Sequence, residues 1–155
     1  MAKPRAAELK AELVDALRRH SGVTVLFHAA VAERLGLGAA DHKCLDLLMR
    51  LGPMTAGELA GHTGLTTGAI TGVVDRLERV GYARRAPHPS DRRSVIVEPV
   101  QEKALADFGP LFEGIARDTA TMLDLYTVEQ LTLIADFLVR ADELATRHTT
   151  ALRAK

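Results

Sequence analysis

Cysteine occurs once, at Cys44, so a disulfide within the chain is excluded, and so is a thiolate metal cluster built by one chain. Tryptophan is absent and the aromatics are four Phe and two Tyr. Core packing therefore falls to Leu, Val, Ile, Ala and Met, a mixture that leans helical. Serine occurs three times and never in a Gly-x-Ser-x-Gly turn. No Gly-rich phosphate loop is present, and no carboxylate or His cluster at catalytic spacing. The sequence thus predicts a protein that is not an enzyme and carries no cofactor. Neither sign of charge dominates, with 20 Lys and Arg against 20 Asp and Glu, so no global field marks a polyanionic partner. No apolar run approaches a membrane span, and the opening Met1-Ala-Lys-Pro-Arg5 lacks an apolar stretch of signal-peptide length. A cytoplasmic protein without membrane association is expected.

What is present is globular: 155 residues, 47% hydrophobic and 26% charged, enough for one domain over 1–155. From Ala6 to about Leu35, Leu9, Leu13, Leu17, Val23, Leu26, Phe27, Val31 and Leu35 recur at helical spacing, with Ser21-Gly22 as an expected bend. A second helix, with Asp41 in its first turn, runs to about Leu51 with Leu45, Leu48 and Met49 inward. Gly52-Pro53 ends it. Thr55-Ala-Gly-Glu58 is a capping box that opens a short third helix. Gly64 then supplies a tight turn, and Thr66 caps a fourth helix with Ile70, Val73, Val74, Leu77 and Val80 buried. Two short helices joined by a glycine turn predict a helix-turn-helix.

Tyr82 to Ala86 and Ser94 to Glu98 read as two strands around a tip rich in Pro and Arg, the shape of a wing. Helical spacing returns from about Val100, where Gly109-Pro110 predicts a kink. A second capping box, Thr127-Val-Glu-Gln130, opens the last helix, which carries Leu131, Ile134, Phe137, Leu138, Ala141 and Leu144. The expected architecture is mainly α with a small β-hairpin wing. A winged helix-turn-helix spans 39–98, and dimerisation helices span 6–35 and 100–150.

Charge is distributed unevenly. Residues 76–93 hold six Arg against Glu78 and Asp91, whereas residues 99–155 hold six basic and nine acidic side chains. A basic module on an acidic scaffold fits double-stranded DNA as partner. With Ile70, Val74 and Leu77 buried, the fourth helix turns Gly68, Gly72, Asp75 and Arg79 outward, flanked by Thr71 and Arg76. Each glycine costs roughly 1 kcal/mol relative to alanine in a helix interior, so close approach of the backbone to a groove wall is the functional reading. Thr66, Thr67 and Thr71 can meet phosphates or base edges. Arg92 and Arg93, at the hairpin tip, can enter a narrow minor groove, with Asp91 orienting a guanidinium. Thr55 and Arg85 complete the candidate contacts. The apolar stripes of the first and last helices exceed what the winged core can cover, so Leu9, Leu13, Leu17, Ile134, Phe137, Leu138 and Leu144 are expected to close a symmetric homodimer.

The run from Leu65 to Tyr82 followed by Asp91-Arg-Arg93 resembles the MarR family of bacterial regulators, and the order of helices around it resembles that family over essentially the whole chain. The resemblance implies a repressor that binds an inverted-repeat operator. Arg93 becomes its minor-groove arginine, Asp91 the orienting partner, and the first and last two helices interlock into the dimer. It also implies an effector pocket lined by Val23, Phe27, His28, Val31 and the second helix, with a small molecule as releasing ligand. Gly68 and Gly72 leave the recognition helix short of large base-reading side chains, which shifts specificity toward DNA shape. The competing reading is a winged-helix interaction or oligomerisation module without specific DNA binding. Cys44 shares a face with Leu45 and Leu48 and reads as a small buried apolar residue. The six histidines include no pair at metal-ligand spacing within one element, so no metal is expected.

Overall fold

The computed structural model describes residues 3–91 and 94–153. In chain order the elements are α1 Lys3–Arg34, α2 Ala39–Leu51, β1 Met54–Thr55, α3 Ala56–Thr63, α4 Thr67–Arg79, β2 Ala83–Pro87, β3 Val95–Pro99, α5 Gln101–Leu123 and α6 Val128–Arg153. The chain forms two compact units, one ending at Asp107 and the other starting at Phe108.

The first unit is built around α2, which packs against α1, α3, α4 and β3. Being covered on several sides, α2 buries more than one stripe: Asp41, His42, Cys44, Leu45, Leu47 and Leu48 are all inside. Met49, expected inward, is only half-buried, and Leu47 takes the inner position instead. Leu48, Leu59, Ile70, Val73, Val74 and Leu77 form the fully buried centre. Val80, also expected on that face, is exposed, because α4 ends at Arg79 and Val80 is its cap.

Local chemistry sets the helix boundaries. Thr55 caps α3 by accepting from the Glu58 N–H at 3.2 Å, while the Glu58 carboxylate accepts from the Thr55 N–H at 2.7 Å. Gly64 ends α3 at φ +70°, a left-handed conformation that strains any residue with a Cβ, and its N–H reaches the Ala60 carbonyl at 2.7 Å. Thr127 and Gln130 reproduce the capping box at α6. The helix α1 runs unbroken through Ser21-Gly22, where a bend was expected, and α5 continues through Pro110.

A three-stranded antiparallel sheet has the order β1-β3-β2. The wing strands lie one residue later than the sequence suggested, each closed by a proline that donates no ladder bond. The register sets Arg84 opposite Glu98, and their side chains pair at 2.8 Å. The strand β1 is two residues long, too short to carry an alternation that sequence reading detects.

Two buried ionisable groups make stability fall in alkali. Burial pushes the Cys44 thiol up from 9 to about 11, helped by the Asp41 charge. Burial and the hydrogen bond donated to Asp107 push Tyr82 up from 10 to about 12. The native state keeps both protons longer than the unfolded chain does, so their contribution is complete below about pH 9. It is lost between pH 9 and about 11 for Cys44 and between 10 and about 12 for Tyr82. Urea midpoints measured against pH should decline more gently in Tyr82→Phe and Cys44→Ala. An unchanged slope in both would contradict the assignment.

Among the described residues no single helix is long and apolar enough to cross a membrane. In the second unit α6 buries no residue.

Candidate nucleic-acid interface

The helix α4 presents two surfaces of opposite character. Ile70, Val73, Val74 and Leu77 face the core, and Thr66, Thr67, Gly68, Thr71, Asp75, Arg76 and Arg79 are exposed. The Thr66 hydroxyl oxygen accepts from the Ala69 N–H at 3.2 Å, which fixes the start of the helix. Thr71 donates to the Thr67 carbonyl at 3.0 Å, so its methyl and the acceptor capacity of its hydroxyl oxygen remain for an external contact. A Cβ at Gly68 would meet nothing within 4 Å, so nothing in the fold requires glycine there. At Gly72 a Cβ would lie 3.4 Å from Nη1 of Arg76, an ordinary van der Waals contact with the end of a flexible side chain, so the fold does not require glycine there either.

Three of the arginines counted as a free basic patch are held by carboxylates. Arg76 donates to Asp41 through Nε at 3.0 Å and through Nη2 at 2.7 Å. Arg85 reaches Asp75 at 2.7 Å and also pairs with Glu78, whose other oxygen accepts from the Arg85 N–H at 2.8 Å. Arg85 therefore ties β2 to α4. Arg84 pairs with Glu98. Arg79 is exposed and makes no ion pair among the described residues. The charge count over 76–93 missed this because Asp41, Asp75 and Glu98 all fall outside that window. Thr55 is engaged as the α3 cap.

The wing tip is organised by an imidazole that no motif in the chain singles out. Nδ1 of His88 accepts from the N–H groups of Ser90 and Asp91, each at 3.2 Å, and the His88 N–H closes the loop onto the Ser94 carbonyl at 3.0 Å. Asp91 is exposed beside it. Arg92 and Arg93, the predicted minor-groove residues, lie outside the described residues.

Between α1 and α2 lies a groove of about 480 Å³. Of Val23, Phe27, His28 and Val31, only His28 lines it. The groove faces the stripe of Thr24 and His28, while Val31 belongs to the core, Val23 is exposed, and Phe27 meets the His28 ring edge-on at 5.7 Å. From α2 come His42, Lys43, Asp46 and Arg50, with the His28 and His42 rings 5.1 Å apart. Burial and then the neighbouring His28 hold His42 below the usual imidazole range. Among the described residues no group of three His, Cys, Asp or Glu is arranged to hold a metal ion. The residues assigned to a dimer contact, Leu9, Leu13, Phe137, Leu138 and Leu144, are exposed, with Leu17 and Ile134 half-exposed.

The MarR family profile matches residues 37–95, the span from α2 through the wing. The uncharacterised HTH-type transcriptional regulator YcgE of Bacillus subtilis (strain 168) is 42% identical over 140 residues, 89% of each chain. A MarR family protein from Bacillus stearothermophilus has the same fold at TM-score 0.70 and 24% identity, over 90% of this chain and 96% of that one. A mutant MarR from E. coli, solved in complex with operator DNA, matches at TM-score 0.57 and 22% identity, over 84% and 93%. The identity spans both units and includes the helix-turn-helix and the wing, and on that ground the chain belongs to the MarR family of winged-helix transcriptional regulators.

Proposed function

We propose that the protein is a homodimeric repressor that binds duplex DNA through α4 and the wing, reads an inverted-repeat operator in the cytoplasm, and is released by a small ligand. The observation that carries this reading is the leading turn of α4, where Thr66, Thr67 and Gly68 are exposed and, at Gly68, the backbone carries no side chain to hold a groove wall away. Arg79, which makes no ion pair among the described residues, supplies a cation on the same helix, Thr71 and Gly72 continue the surface, and Arg92 and Arg93 supply the hairpin contact. Support also comes from the operator complex of the E. coli MarR mutant, whose fold this chain shares. The exposed leucines of α1 and α6 supply apolar surface for a two-fold partner. Region 39–98 is thus the DNA-binding part and 6–35 with 100–150 the dimerising part. A ligand in the α1–α2 groove releases DNA only by binding the non-competent state more tightly.

The pairing of Arg76, Arg84 and Arg85 with carboxylates favours one rival, a winged module that docks on protein. Salt separates the two. Affinity for random-sequence duplex should fall log-linearly with salt. Arg79→Ala and Arg93→Ala should each weaken binding by about 1–2 kcal/mol and reduce the slope by about one. Dimer mass in sedimentation should not change. A flat salt response with unaltered variants would favour the protein-docking module.

A further inference from the structure

Arg76 sits on the exposed side of α4, where a contact to DNA would be its simplest use, yet its geometry points inward. The Asp41 carboxylate that holds it is buried, its side chain only 3% exposed. Asp41 accepts from Nε and Nη2 of Arg76 at 2.7 to 3.0 Å and from the Gly38 N–H at 2.9 Å. That last bond closes the first turn of α2, so the carboxylate is fixed by the helix that carries it. On the other side, Nη1 of the guanidinium lies back along α4, 3.4 Å from where a Cβ at Gly72 would stand, an ordinary van der Waals distance. Apolar contacts from Ile70, Val74 and Leu77 resist separation of α4 from the core but are non-directional. A bidentate ion pair is directional, and a buried carboxylate is costly to leave unpaired.

We infer that Arg76 is a positioning residue rather than a DNA contact: the Asp41–Arg76 pair fixes the rotation of α4 against α2, and with it which side chains of α4 meet base edges. This inference rests on the DNA-binding reading. It assigns Arg76 to the fold and leaves Gly68, exposed at the start of α4, as the glycine placed for groove approach.

The test compares Asp41→Asn, Arg76→Gln, Arg76→Lys and the double variant Asp41→Asn/Arg76→Gln in three measurements. Urea unfolding without DNA should show the double variant no less stable than the weaker single, as a shared pair requires. Selection from a random-sequence duplex pool should show sequence enrichment reduced by about tenfold in all four. The salt slope on unselected duplex should stay at the wild-type value in Arg76→Gln, because no phosphate contact is lost. Arg76→Lys keeps the charge but not the fork, so it should behave as Arg76→Gln does. The inference is overturned if Lys restores enrichment, if Arg76→Gln lowers the slope by about one, or if Asp41→Asn leaves enrichment intact. It also fails if the two single losses of stability simply add. A wild-type protein with no salt-dependent affinity would refute the DNA reading itself, while the unfolding cycle would still report on the pair.

Discussion

Gly68→Glu is expected to leave the isolated protein at least as stable as the parent and to weaken duplex binding by about a hundredfold, roughly 3 kcal/mol. The two effects have separate origins. Inside the fold a side chain at this position enters open space. Replacing glycine in a helix and placing a carboxylate in the first turn of α4 both favour folding, together by about 0.5–1 kcal/mol. Toward DNA the same carboxylate blocks backbone approach and opposes phosphate at the point where α4 would enter a groove. Thermal melting and fluorescence anisotropy on one preparation measure both. A variant that binds as the parent does would remove the leading turn of α4 from the interface.

Leu77→Ala acts on the other face and should lower the free energy of unfolding by about 3 kcal/mol. Leu77 is fully buried with Ile70, Val73 and Val74, and α4 packs on α2, α3 and β2. Truncation leaves a cavity that the surrounding helices cannot fill without moving. Because domain stabilities run to about 5–15 kcal/mol, the variant should fold but melt early. Urea unfolding at one fixed protein concentration measures it, since the apparent stability of the proposed dimer would depend on concentration. A loss under about 1 kcal/mol would mean that the α4 core repacks freely, contrary to the close packing of protein interiors.

Features decided within four residues were legible in the sequence. Both threonine capping boxes, the Gly64 turn and the start of α4 are local bargains between side chain and backbone, and the structure repeats them, while the wing hairpin, which pairs residues 83–87 with 95–99, was legible to within one residue. Features decided across the fold were not. Asp41 and Arg76 are 35 residues apart, and nothing in either neighbourhood announces the other. In the sequence Asp41 served only as a favourable charge in the first turn of α2. Arg85 looked like free positive charge until the hairpin folded it onto Asp75 and Glu78. The groove lies one helical step from the stripe expected to line it, because periodicity gives the buried face of α1 but not the angle at which α2 crosses it. His88 offered no signal, since its ring acts on the loop that contains it.

Internal neutralisation of Arg76, Arg84 and Arg85 bears on how such a regulator would behave in a living cell. With these three arginines already held by carboxylates, fewer condensed counterions would be displaced than the charge of the segment suggests, so affinity for bulk chromosomal DNA would be lower and less of the protein would be titrated away by the many wrong sites around each right one. Occupancy of a promoter would then follow shape and base contacts more than ionic strength. Such a switch would hold its setting through osmotic stress that loosens more heavily charged regulators.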